Sequence, residues 1–191
     1  MRLHLESMAI EMPRVSRHPN RQPFHGVLTM LDVPSDKAPS GARGRRVMLT
    51  RRAAEAALPS LLGMALDYTP ELDGHDARRK VGIITAADIV PVRSAAAGAS
   101  RVDVRGYLFA RDFPEVVQRI RGAGQRDLGM SYEVADARVA DVRSAVWTLV
   151  EFTFTGAAVL LREKAAYGAT WIALGSPENE ASFSVVSAHN V

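Results

Sequence analysis

The sequence predicts a mostly β, mixed α+β domain in the form of an antiparallel β-barrel flanked by helices. Its 191 residues are 47% hydrophobic and 24% charged, a globular composition that excludes disorder as the main state. About six to eight short apolar or alternating segments are separated by turn residues. These segments are not spaced by regular helices, which argues against a doubly wound parallel sheet.

Strands are predicted where apolar runs or period-two alternation end at turn residues. The predicted strands cover residues 25–31, 47–50, 64–68, 81–90, 101–109, 127–134, 145–154 and 169–174. The segment 101–109 alternates most clearly, because Val102, Val104 and Leu108 share one face. Segments rich in Pro, Gly and charge, 32–46 and 69–80, are predicted to be loops.

Helices are predicted between some of these strands. Thr50 is a good N-cap for a helix over 51–62, which Pro59 should break or kink. Asp112 is expected to cap a second helix over 113–121. A short helix is expected over 162–168.

The chain divides into a core and two terminal segments. Residues 1–23 are expected to form a flexible basic arm, 24–174 the barrel domain, and 175–191 a tail without periodicity. Residues 1–52 hold 10 Lys and Arg against 4 Asp and Glu, and the remainder of the chain is net acidic. A basic arm could contact nucleic acid or an acidic partner, but its arginines are not interleaved with aromatic residues, so a base-stacking surface is poorly supported.

Several classes of chemistry are excluded or disfavoured. The absence of cysteine excludes disulfides, thiolate catalysis and cysteine-ligated metal sites. No apolar run approaches the roughly 18 residues of a membrane-spanning helix, and the first residues lack the apolar stretch of a signal peptide. No HExxH, P-loop or GxGxxG motif is present, so no cofactor or metal is expected.

Histidine chemistry has one obvious candidate in the body of the chain, because four of the five histidines lie near the ends. His75 stands in the loop segment LDGHDARRK. A loop histidine is usually a surface residue, and Asp73 and Asp76 beside it also allow a metal-binding interpretation. Consecutive loop residues rarely complete a coordination shell without distant ligands, so that interpretation is weak.

Two polar residues interrupt apolar strands. Ser131, in LGMSYEV, shares a strand face with Gly129 and Glu133. A serine there is usually a tolerated residue on a solvated face, although Gly129 leaves open space beside the hydroxyl. Glu151, in WTLVEFTF, is either on a solvated face or buried with a partner such as a histidine.

Together these three residues can fill the roles of a hydrolytic triad. A serine hydroxyl is a weak nucleophile until a neighbouring base removes its proton. An imidazole can do so near neutral pH when a third group fixes its tautomer and stabilises the imidazolium.

The segments that carry these residues resemble a known family. A loop histidine precedes an aliphatic–Gly strand in GHDARRKVGII, and RVDVRGYLF follows it. LGMSYEV then has the small–apolar–Ser–aromatic order, and LVEFTFTGAAVL carries the acidic residue. In this order the segments resemble the prohead maturation proteases of tailed bacteriophages, relatives in fold of the herpesvirus assembly proteases, over about residues 25–165.

The resemblance implies a helix-flanked barrel of the assemblin and prohead-protease type. It implies Ser131 as nucleophile, His75 as general base and acid, and Glu151 as the residue that orients His75. The expected substrates are the scaffold protein, extensions of the major capsid protein and the protease itself, cleaved inside assembling proheads in the bacterial cytoplasm. The Pro-Ala-Asn that family members often show after the acidic strand is replaced here by TGAAVLL.

Other interpretations stay open. The chain could be a catalytically silent capsid-assembly or scaffold-binding protein with the same fold, or an esterase or amidase. A GxSxG elbow is absent, which argues against an α/β-hydrolase. A nucleic-acid-binding module is disfavoured, no membrane partner is expected, and a homo-oligomer is an open alternative.

Overall fold

The computed structural model describes residues 18–92, 98–123 and 127–175. Within these residues the protein is mostly β, with one sheet that curls into a half-barrel and two helices beside it. Most of the predicted N-terminal arm and C-terminal tail lies outside the described residues. Within the described part, the first strand begins at Arg21, four residues before the predicted start.

Eight strands form the sheet. They are β1 (Arg21–Leu31), β2 (Arg46–Leu49), β3 (Ala65–Asp67), β4 (Lys80–Pro91), β5 (Ser100–Phe109), β6 (Leu128–Val139), β7 (Val146–Leu161) and β8 (Trp171–Leu174). The hydrogen-bonded order is β2-β7-β3-β4-β5-β1-β8, and β6 pairs with β7. Every predicted strand is present, and the mostly β class is confirmed.

The predicted all-antiparallel pairing is wrong at two places. Strands β2 and β3 both run parallel to β7. The reason is the length of β7, whose 16 residues accept β2 near Val146–Leu149 and β3 near Ala157–Ala158. The antiparallel partner β6 runs along the same strand.

The helices follow local signals only in part. Helix α1 (Arg51–Ala57) begins as predicted, because the Thr50 side chain accepts a hydrogen bond from the Ala53 amide. Pro59 ends the α-helix, and a single 3-10 turn follows over Leu58–Leu61. The predicted helix over 162–168 is one 3-10 turn, Arg162–Lys164.

The predicted cap of the second helix is wrong. Helix α2 (Pro114–Gly122) has Phe113 at its N-cap, with no side-chain capping bond. Asp112 instead accepts a hydrogen bond of 2.8 Å from the Asn20 side-chain amide. Pro114 starts the helix without a capping side chain because its nitrogen carries no hydrogen to satisfy.

The core lies between the curled sheet and the two helices. It is one large cluster of buried aliphatic and aromatic side chains, among them Leu28, Leu66, Ile84 and Phe154. Helix α1 packs on β7 and helix α2 on β8. This packing fixes β7, and β7 in turn fixes β3 and β6 on its two edges. None of the described helices is long and apolar enough to cross a membrane.

Gly106 is expected to be essential for the pairing of β4 with β5. A Cβ at this position would collide with the carbonyl oxygen of Ile83 and with the Phe24 ring. We expect Gly106→Ala to lower the free energy of unfolding by about 3 kcal/mol, the upper part of the usual range for overpacking. Gly122→Ala is the matched control, because a Cβ there meets open space. Urea denaturation checks this, and equal midpoints for the two variants would contradict it.

Candidate active site

The site lies where three adjacent strands cross the middle of the sheet. Ala158 of β7 pairs with Ser131 of β6 on one side and with Asp67 of β3 on the other. Residues directly opposite one another share a sheet face, so Asp67, Ala158 and Ser131 form one row. Strands are about 4.8 Å apart, which places the Cα atoms of Asp67 and Ser131 about 10 Å apart.

His75 belongs to this row although it lies in the loop between β3 and β4. Its Nδ1 lies 3.3 Å from Asp67 Oδ1, and its side chain is 18% exposed. His75 and Ser131 line the same groove. Ala158, fully buried and small, is the residue between the two ends of the row.

Asp67 is a buried carboxylate with two basic side chains beside it, His75 and Lys80. Its side chain is 1% exposed, and its Oδ2 accepts a hydrogen bond of 3.0 Å from Lys80 Nζ. Burial raises the pKa of Asp67, but His75 and Lys80 outweigh that effect and hold the pKa below its ordinary value. Asp67 is therefore an anion at neutral pH, with Oδ1 directed to the imidazole.

A second carboxylate lies farther from the imidazole. Glu133 Oε1 is 3.9 Å from His75 Nδ1, and the Glu133 side chain is 52% exposed. The Glu133 carboxylate lies over β7, beside its strand partner Gly156. A Cβ at Gly156 would collide with this carboxylate, so the glycine leaves space for it. Solvent screens its charge more than that of Asp67, so Asp67 is the stronger partner of His75.

The predicted role of Glu151 is not supported by its position. Glu151 pairs with Arg138 across β6 and β7, forms an ion pair of 2.9 Å with it, and is 67% exposed. It lies seven residues before Ala158 on β7, roughly 20 Å along the strand. The structure thus places Ser131 and His75 in the lining of one groove and leaves Glu151 apart, and Asp67 is the buried carboxylate that contacts His75.

Both ring nitrogens of His75 are buried and lack a hydrogen-bond partner among the described residues. The Asp67 contact is within ion-pair distance, but its angle does not make a hydrogen bond. Catalytic hydrogen bonds are often long or poorly aligned before substrate binds and tighten in the complex. Nδ1 faces the Asp67 carboxylate, and Nε2 is the nitrogen on the other side of the ring.

The metal-binding interpretation of the His75 loop is not supported. Asp73 accepts a hydrogen bond from the Thr69 hydroxyl, and Asp76 forms ion pairs with Arg78 and Arg79. In the described parts of the chain no group of three or more acidic or histidine side chains could hold a metal ion.

Sequence reasoning missed Asp67 and Lys80. Asp67 stands between Leu66 and Tyr68 in a short apolar strand, as Glu151 stands between Val150 and Phe152. Each is a carboxylate within an apolar segment, and only the strand pairing tells them apart.

Comparison with known proteins adds no evidence about the role of this site. No protein-family model, no curated protein and no solved structure matches the chain. The resemblance to prohead proteases therefore stays a prediction.

The ion pair between Asp67 and Lys80 should make stability depend on pH. The pKa of Asp67 in the folded state lies below its unfolded value of about 3.9, so the pair stabilises the fold above about pH 4 and loses this contribution as pH falls further. Lys80→Met removes an ammonium group that opposes the effect of burial, so the pKa of Asp67 should rise. Acid unfolding should then begin at a higher pH.

Urea midpoints measured between pH 3 and 7 test this expectation. Lys164→Met removes an exposed lysine of the 3-10 turn and serves as control. Parallel pH profiles for the two variants would show that Lys80 does not hold the Asp67 charge.

Proposed function

We propose that the protein is a serine endopeptidase in which Ser131 is the nucleophile, His75 the general base and acid, and Asp67 the residue that orients His75. One observation carries the proposal. Asp67 and Ser131 both pair with Ala158, and His75 touches the first and shares a groove with the second. A buried carboxylate, an imidazole and a serine hydroxyl in this order are the groups that acyl transfer to serine requires.

The reaction divides into two steps. His75 Nε2 takes the Ser131 proton while Oγ bonds to the substrate carbonyl carbon, and the peptide C–N bond then breaks as the imidazolium protonates the leaving amine. Water, deprotonated by the same nitrogen, attacks the ester and releases the carboxylic acid product and the serine hydroxyl. Asp67 stays ionised throughout and stabilises the imidazolium.

The family resemblance and the site together suggest the biological substrates. They are the scaffold protein, extensions of the major capsid protein and the protease itself, processed within assembling phage capsids in the bacterial cytoplasm. The mostly β fold is compatible with the prohead-protease type of barrel, and the assemblin-like topology is part of this proposal.

The test is proteolysis of a phage scaffold protein and a major capsid protein, the substrate classes that the resemblance implies. We expect intact-mass spectrometry to find new fragments after incubation with the wild-type protein and none after incubation with Ser131→Ala. Fragments with both proteins would contradict the role of Ser131. The absence of fragments with either would contradict the peptidase and favour a catalytically silent assembly protein with the same fold.

A further inference from the structure

Ser131 and His75 line a groove of about 560 Å³ that also contacts Val139, eight residues farther along β6. His75, Ser131 and Glu133 contribute to its lining, which otherwise consists of uncharged residues. These are Pro39, Ser40, Gly41, Ala42, Val47, Tyr132, Val134, Ala137, Val139, Trp147, Leu149 and Thr155. A volume of this size is typical of sites that bury most of a drug-sized ligand.

The groove keeps apolar side chains partly open beside a nucleophile. Val134, Val139 and Trp147 are half-buried, packing against the core on one side and facing the groove on the other. Ala42, Val47 and Leu149 are buried beneath them. Contiguous apolar surface of this kind marks a binding site more often than a solvated wall.

Trp147 is held in place before any ligand arrives. The Arg45 guanidinium lies 5.3 Å from the centre of its ring, and its indole nitrogen donates a hydrogen bond of 3.1 Å to the Val142 carbonyl. A wall fixed in this way loses little conformational freedom when it binds a ligand.

We infer that this groove is the substrate-binding groove of the peptidase and that it binds an extended apolar stretch of the substrate, which runs from the bond that Ser131 attacks toward Val139 and Trp147. The inference rests on the proposed function. A charged side chain would lose its hydration there, because no lining residue apart from Glu133, His75 and the phenol of Tyr132 carries a titratable group. Glu133, at the catalytic end, further disfavours an acidic residue next to the scissile bond.

The inference predicts a cleavage preference in a mixture of random-sequence peptides analysed by mass spectrometry. We expect large apolar residues to be enriched by about tenfold or more at fixed positions several residues from the cut, on one side of it, the usual selectivity of an apolar pocket. Equal cleavage of peptides with apolar and with charged residues at those positions would overturn the inference, and so would the absence of cleavage by a protein whose Ser131 reacts with a fluorophosphonate.

A pair of lysine substitutions locates the preference in the groove. Val139→Lys places a charge in the lining, and we expect it to lower the cleavage rate of apolar peptides by at least about tenfold. Val142→Lys adds the same charge at a residue that is 63% exposed and outside the lining. This variant should cleave apolar peptides at the wild-type rate. Equal rates for the two variants would contradict the inference.

A reaction that does not use the groove separates this inference from the proposed function. Both lysine variants should react with diisopropyl fluorophosphate at Ser131 at the wild-type rate, because this small reagent needs the nucleophile and not the far end of the groove. If diisopropyl fluorophosphate labels Ser131 but peptide cleavage shows no preference for apolar residues, the groove inference alone is overturned. Absence of labelling in the wild-type protein would overturn the proposed function and this inference with it.

Discussion

His75→Ala is expected to lower the rate of peptide-bond cleavage by about a million-fold, because members of a triad act as a unit and the loss of one removes the activation of the nucleophile. His75 is partly exposed at the wall of the groove, so the fold should survive its removal. The rate is measured from the appearance of fragments by intact-mass spectrometry. Circular dichroism of the variant checks the fold.

The matched control for this substitution is His25→Ala. His25 is exposed on β1, has an edge-to-face contact with Trp171 and takes no part in the groove. It should cleave at the wild-type rate. Free imidazole should restore part of the activity of His75→Ala, because it can enter the space left by the side chain and accept the serine proton. Full activity of His75→Ala without imidazole would exclude the proposed base.

Asp67→Asn is expected to lower the cleavage rate by about ten-thousand-fold. An amide has almost the shape of a carboxylate, but it can donate a hydrogen bond to Nδ1 and so favour the wrong imidazole tautomer. It also cannot stabilise the imidazolium with a negative charge. The measurement is the cleavage rate at neutral pH, where Asp67 is ionised because its pKa is below the ordinary value.

Glu151→Gln makes the same chemical change at the residue that the resemblance assigned to this role. Glu151 forms an exposed ion pair with Arg138, and such pairs contribute little to stability. We expect this variant to retain activity within about twofold of the wild type. A larger loss in Glu151→Gln than in Asp67→Asn would restore the original assignment and reject the one based on strand pairing.

The local sequence predicted the elements of this fold well. Thr50 and Pro59 marked the start and the end of α1, because a capping hydroxyl and a ring without an amide hydrogen act within a few residues. Strand β6 was predicted to end at Val134 because the following residues are polar. It continues to Val139, since pairing with β7 overrides the weak local preference.

The pairing of strands that lie far apart in the chain could not be predicted from the sequence. Nothing in the residues of β2 or β3 says that both pair in parallel with β7, because that depends on the path of the chain between them. Asp67 and Glu151 illustrate the consequence for the site. Both interrupt apolar strands, but only Asp67 pairs with the residue that also pairs with Ser131. The serine and the histidine could therefore be proposed from the sequence, and their carboxylate partner could not.

The central claim is that Ser131 is a nucleophile activated by His75 and Asp67. The most direct measurement is reaction with a fluorophosphonate, in which Oγ bonds to phosphorus and fluoride leaves, followed by intact-mass and peptide mapping. We predict one adduct per chain, located on Ser131, absent from Ser131→Ala and formed much more slowly in Asp67→Asn than in Glu151→Gln. An unmodified wild-type protein, or an adduct that persists in Ser131→Ala, would contradict the claim.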